Sequence, residues 1–217
     1  MITLDGPGLS PKSGATAKQL VVFLHGYGSN GDDLISLAPY WADLLPDAAF
    51  VSPNAPFPCE VNPFGGYQWF GFENRSPEMI LGGVRAAATI LDAYLDAQLE
   101  AHALDESRLA LVGFSQGTMM ALHVAVRRAK AAGAIVGYSG RLIAEDLLSS
   151  EIKSKPPVLL VHGTADPMVP FANLAYAIEA LKAAGVPVES LVRPGLPHSI
   201  DQEGLMRGGQ FLREKLR

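Results

Sequence analysis

The 217-residue chain contains one cysteine, Cys59. A single thiol excludes an internal disulfide framework and the multi-cysteine zinc patterns. Positive charge is also scarce: 17 Lys and Arg against 22 Asp and Glu leave a formal charge of −5, which argues against a nucleic-acid partner. The densest basic run, Arg127-Arg128-Ala129-Lys130, falls at the end of an expected helix, where cations complement the carbonyl dipole. No apolar stretch approaches the roughly 20 residues of a membrane span. The opening MITLDGPGLSPKSG lacks the basic segment and apolar core of a secretory signal. Internal repeats and linker-like runs are missing too. These absences predict one domain over residues 1–217, cytoplasmic, with no integral membrane segment and no metal.

What is present is a core-forming composition, 48% hydrophobic and 18% charged. Strand candidates lie at 20–25, 48–52, 109–113, 134–138, 157–162 and 188–193, and most are nearly continuous apolar runs, as expected of strands covered on both faces. Helical patterns near 31–45, 78–100, 116–131, 170–184 and 201–216 alternate with them. In the second, Ile80, Val84, Ala88, Leu91, Leu95 and Leu99 form one apolar stripe; the third is apolar all round. The alternation predicts a doubly wound, mostly parallel α/β sheet. Ligands and chemistry then belong at the ends of the strands. Residues 53–77 fit no element and carry six aromatic residues, so they are expected to wall a binding site or, failing that, to form a homodimer contact.

Gly113-Phe114-Ser115-Gln116-Gly117 lies between a strand and a helix, the context that a nucleophile elbow needs. The competing reading makes Ser115 an N-cap. A serine nucleophile requires a base. His198, in the Gly/Pro turn of RPGLPHSIDQ after the last strand, is the candidate; His25 and His162 end strands, His123 lies in a buried helix and His102 follows a polar helix end. A carboxylate must orient that base. Asp166, in VHGTADPMVP, leads over Glu145, Asp146 and Asp201, and the order Ser, Asp, His is that of α/β-hydrolases.

Gly26-Tyr27-Gly28-Ser29-Asn30-Gly31 matches the G-x-G-x-x-G of a dinucleotide turn. That reading needs a carboxylate at the end of the next strand, where Asn54 and prolines stand, and an anion beside Asp32 and Asp33. An oxyanion suits the loop better. One donor to it is the N–H of the residue after the nucleophile, Gln116, and the other comes from HGYG.

Taken together, FLHGYGSNGDD, LALVGFSQG, GYSG, VHGTADPMVP and GLPHSID resemble the carboxylesterase/phospholipase family of α/β-hydrolases, which includes acyl-protein thioesterases. The resemblance runs from about Leu20 to the end. It implies an α/β-hydrolase fold without a large cap, hydrolysis of carboxylic esters or thioesters, lysophospholipids among them, and no cofactor. It implies Ser115 as nucleophile, His198 as base, Asp166 as acid, and the N–H groups of Tyr27 and Gln116 at the oxyanion. Trp69 falls where the family has an aromatic beside the substrate, and Phe70 and Phe64 extend an apolar site for short- to medium-chain acyl groups. Three positions depart from the pattern. Gly71 stands where a carboxylate often follows the Trp-Phe pair, Thr118 where a smaller residue is common, and Tyr27 where leucine is usual. A perhydrolase with the same triad and a silent apolar-ligand binder on the same fold are the other readings.

Overall fold

Nine strands and seven α-helices occur among residues 3–216, which are those the computed structural model describes. The strands are β1 (Gly8–Leu9), β2 (Gln19–Leu24), β3 (Ala48–Val51), β4 (Phe57–Cys59), β5 (Asn62–Gln68), β6 (Leu109–Phe114), β7 (Ala134–Tyr138), β8 (Val158–Gly163) and β9 (Val188–Arg193). The helices are α1 (Gly31–Ile35), α2 (Ala38–Trp41), α3 (Pro77–His102), α4 (Gln116–Ala125), α5 (Leu148–Glu151), α6 (Ala172–Ala183) and α7 (Gln202–Lys215). Seven strands form one sheet in the order β1-β3-β2-β6-β7-β8-β9, parallel except for β1. This is the expected mostly parallel, doubly wound α/β arrangement, with helices on both faces.

Side-chain alternation along each strand sorts the core into two layers. Leu20, Val22 and Leu24 of β2 join Leu109 and Leu111 of β6 under α3, α4 and α6. Val21 and Phe23 face the other way, with Ala110, Val112 and Val136, and are covered by Trp41 and by Phe211 and Leu212 of α7. Burial on both faces is why these strands contain so few polar residues.

The helices differ from the sequence pattern in instructive ways. The apolar stripe of α3 uses Ala87 rather than Ala88, and the helix starts on Ser76, whose hydroxyl caps Met79 N–H. The pattern near 31–45 splits into α1 and α2, because Pro39 lacks an N–H and its ring would strike the carbonyl of Ile35 in a continuous helix. The pattern over 116–131 stops at Ala125. There the outgoing carbonyls bond the segment leading into β8: Lys153 N–H donates to Val126 O at 2.8 Å and Ser154 Oγ to Ala125 O at 3.1 Å.

Residues 53–77 are not without structure. They contain the antiparallel hairpin β4-β5, with a register irregularity at Pro58/Cys59. Pro58, Pro63, Gly65 and Gly66 mask any alternating pattern in this stretch. No helix among the described residues is long and apolar enough to cross a membrane.

Candidate active site

Strand β6 delivers the chain to Ser115, and α4 begins at the next residue. Ser115 has φ 54° and ψ −113°, a left-handed backbone that a residue with a Cβ adopts at a cost. The turn is tight enough that a side chain at Gly113 would collide with the backbone of Gly117 and Thr118, and one at Gly117 with the carbonyl of Leu24. Small residues two before and two after the serine are therefore a steric requirement. Ser115 N–H is held by Tyr138 O at 2.9 Å. The Ser115 hydroxyl does not cap α4, which removes the N-cap reading. Thr118 is buried, and its hydroxyl donates toward Gly113 O and Tyr138 O at 2.7 and 2.9 Å.

The loops after β8 and β9 bring Asp166 and His198 together. Asp166 Oδ2 accepts from His198 Nδ1 at 2.8 Å, while Oδ1 accepts from the N–H groups of Met168 and Val169, each at 2.9 Å. Burial alone would raise this carboxyl, but the His198 bond and the two N–H donors outweigh it and hold it below the ordinary aspartate range. An anionic Asp166 fixes the His198 proton on Nδ1 and leaves Nε2 as an acceptor. The imidazole lies 4.8 Å, centroid to centroid, from Phe114, the residue before Ser115.

The rival carboxylates are placed otherwise. Glu145 and Asp146 are exposed. Asp201 accepts from Arg193 Nε at 2.8 Å and from Gly204 N–H at 2.9 Å, so it caps α7. Of the other histidines, His162 bonds Val169 O through Nε2 at 2.9 Å, which steadies the Asp166 loop. His25 is fully buried; its Nδ1 faces Gly26 O at 2.7 Å and its Nε2 accepts from Ala55 N–H at 2.9 Å. His123 lies buried in α4, and His102 ends α3.

The glycine loop lies on the elbow. A Cβ built on Gly26 would sit 3.2 Å from the Phe114 ring and 3.5 Å from Ser115 Cβ, so the loop backbone runs directly against the elbow. Gly28 N–H donates to Tyr67 O at 2.9 Å and Asn62 Nδ2 to Gly28 O at 2.8 Å, which clamps the loop to the hairpin. No acceptor among the described residues engages the N–H of Tyr27 or of Gln116. Downstream, Asn30 caps α1 through Asp33 N–H, and Asp32 and Asp33 occupy its first turn. A pyrophosphate would meet those carboxylates there.

Burial separates the expected aromatic wall into parts. Trp69 and Phe70 are buried, and Phe64 is 96% exposed near the hairpin tip. The rings that continue outward from Phe70 are Phe72, 5.3 Å away, and Tyr27, 5.1 Å beyond it. Burial first, then a hydrogen bond with Cys59 and the nearby charges of Glu60 and Glu73, pushes the Tyr27 phenol up to about 12.

Two contributors carry no sequence signature. The Gln116 carboxamide accepts from Trp69 N–H at 2.9 Å and donates to Phe70 O at 2.7 Å, while Trp69 Nε1 donates to His25 O at 3.0 Å. Glu60 accepts from Gln68 Nε2 at 2.9 Å and Phe72 N–H at 3.2 Å, and its carboxylate fills the space that a side chain at position 71 would need. Gly71 is thus matched to a carboxylate that arrives from the hairpin. No cluster of three or more His, Cys, Asp or Glu among the described residues is arranged to hold a metal.

Comparison with known proteins follows the same lines. A family model described as Phospholipase/Carboxylesterase matches residues 11–216. Esterase YpfH of Escherichia coli K12 is 28% identical over 201 residues, covering 93% of this chain and 83% of that protein. Acyl-protein thioesterase 1 of Schizosaccharomyces pombe is 32% identical over 205 residues, with 88% of each covered. The crystal structure of esterase PE8 superposes with a TM-score of 0.94 at 44% identity, over 99% of this chain and all of that one.

Proposed function

The chain belongs to the phospholipase/carboxylesterase family and is a carboxylesterase-type hydrolase, and from that premise we propose that Ser115, His198 and Asp166 carry the hydrolysis. His198 Nε2 takes the Ser115 proton as Oγ attacks the acyl carbonyl. The carbonyl oxygen, now an anion, accepts from the N–H groups of Tyr27 and Gln116. Each such preorganised donor is worth about 10²–10³ in rate. Collapse returns the carbonyl and expels the alcohol or thiol, which takes the proton from Nε2. Water then repeats the attack on the acyl-enzyme, with His198 again as base, and Ser115 is regenerated.

The observation that carries this reading is the 2.8 Å bond from His198 to a buried, doubly N–H-stabilised Asp166, on the same sheet edge as a strained serine. A bound apolar ligand would need none of this. The acyl chain is placed along Tyr27 and Phe72, backed by Phe70 and Trp69, with Phe64 toward its far end; this wall suits short- to medium-chain acyl groups. Thioesters are a second substrate class, on the strength of the similarity to acyl-protein thioesterase 1.

A fluorophosphonate should label Ser115 in the native protein and not in the unfolded one. Ser115→Ala should lower aryl-ester turnover by about 10⁴-fold or more. Labelling elsewhere, or undiminished turnover by Ser115→Ala, would refute the assignment.

A further inference from the structure

The carboxyl edge of the sheet presents its loops in a fixed spatial order. The 26–28 loop follows β2, Ser115 follows β6, Arg141 lies beyond β7, Asp166 follows β8 and His198 follows β9. Tyr27 and the hairpin therefore flank the serine on one side, and the segment after β7 flanks it on the other. That segment is tied to the elbow. Tyr138 O accepts from Ser115 N–H at 2.9 Å, Ser139 N–H donates to Val161 O at 2.9 Å, and a Cβ at Gly140 would lie 3.0 Å from Ser115 O. Arg141 is the next residue, and it is half-buried.

Among the described residues no carboxylate holds it, unlike four other shielded arginines. Arg127 is held by Glu151, Arg128 by Asp92 and Asp96, Arg193 by Asp201 and Glu203, and Arg207 by Glu189 and Glu214. Lys153, Lys155, Lys182 and Arg213 have no carboxylate among the described residues, but they are exposed and hydrated. Arg141 has neither an acidic partner nor a ring beneath it among the described residues, so its guanidinium is open to an incoming anion. A guanidinium that no internal carboxylate holds pairs with a bound anion without first breaking an ion pair.

We infer that Arg141 recognises an anionic group, a carboxylate or phosphate, on the alcohol or thiol portion of the substrate. The acyl portion lies against Tyr27 and Phe72, so the leaving group extends past Ser115 toward the end of β7. A guanidinium fork matches either oxyanion in bidentate fashion, which an ammonium does not. This inference rests on Ser115 being the nucleophile.

The test uses three butyrate esters with similar leaving groups: those of 3-hydroxybenzamide, 3-hydroxybenzoate and 3-hydroxyphenyl phosphate. The wild-type enzyme should favour at least one anionic ester over the amide by about 10- to 100-fold in kcat/KM, chiefly through KM. Which anion is favoured distinguishes carboxylate from phosphate recognition. Arg141→Gln should bring the ratio to about one, and Arg141→Lys should restore part of it. The wild-type ratio should also fall between about 0.02 and 0.5 M salt, a readout that needs no variant. A wild-type ratio near one, or a ratio that survives in folded Arg141→Gln, overturns the inference. If instead no ester is turned over and Ser115 is not labelled by fluorophosphonate, the catalytic reading itself fails.

Discussion

Thr118 shows how a departure from the family pattern is accommodated by its neighbours. Its hydroxyl bridges Gly113 O and Tyr138 O, and its carbons occupy the space beside Gly137 and Gly140, where any added side chain would strike them. The bulk absent from the β7 end is supplied from α4. Thr118→Gly should therefore cost about 2–4 kcal/mol, from lost packing, lost hydrogen bonds and lower helix propensity. Gly140→Ala should cost about 1–3 kcal/mol through overpacking. The two substitutions should not add. In the Thr118→Gly background the cost of Gly140→Ala should shrink by about 1 kcal/mol or more, as read from urea unfolding. Additivity within about 0.5 kcal/mol would mean that the two residues do not share the space. Glu60 beside Gly71 repeats the pattern, since its carboxylate occupies the space that a side chain at position 71 would need.

Among the elements, the hairpin β4-β5 and the elbow are joined by one side chain. Gln116 satisfies Trp69 N–H and Phe70 O in a buried setting, so Gln116→Met strands both groups while keeping the main-chain N–H at position 116. Each stranded group costs about 1–3 kcal/mol. Amide exchange in β5 should quicken, and KM should rise more for an octanoyl than for an acetyl ester, because only the longer chain uses the whole wall. Equal changes in KM would show that Gln116 does not act through the hairpin. This clamp also marks where sequence reasoning stops. The central strands were legible because burial on both faces leaves unbroken apolar runs, and the placing of Ser115, Asp166 and His198 at one sheet edge was legible because each follows a strand. Gln116 was legible only as a main-chain donor, since its side chain bonds backbone groups 46 and 47 residues away, and main-chain partners leave no trace in the residue types. β1 is only Gly8–Leu9, too short for any period, and the prolines and glycines of the hairpin concealed its alternation.

At the scale of the whole molecule, the response to acid follows from what the fold buries. Burial holds His25 and His123 below the ordinary histidine range, His123 at about 4, where Arg127 and Arg85 add to the effect and Glu151 opposes it. Both are neutral in the native state near neutral pH, while in the unfolded chain they take up protons below about 6.5. The unfolded state thus binds more protons between about pH 6.5 and 4, and native stability falls as pH is lowered through that window. The depressed carboxyls of Asp166 and Asp201 act in a lower range, and their contribution is lost only as pH drops below about 3.9. The two windows can be separated with one substitution. His123→Leu removes a proton acceptor that lies buried in α4 with no partner for Nδ1 among the described residues. Urea unfolding of the wild type at pH 7 and 4.5 should show a drop to which His123 contributes about 2 kcal/mol. The variant's drop should be smaller by that amount, whatever its stability at pH 7. An unchanged difference between the two pH values would mean that His123 takes up its proton in the folded protein as readily as in the unfolded chain. The sensitivity would then point to His25, whose ring is locked between Gly26 O and Ala55 N–H beside the 26–28 loop.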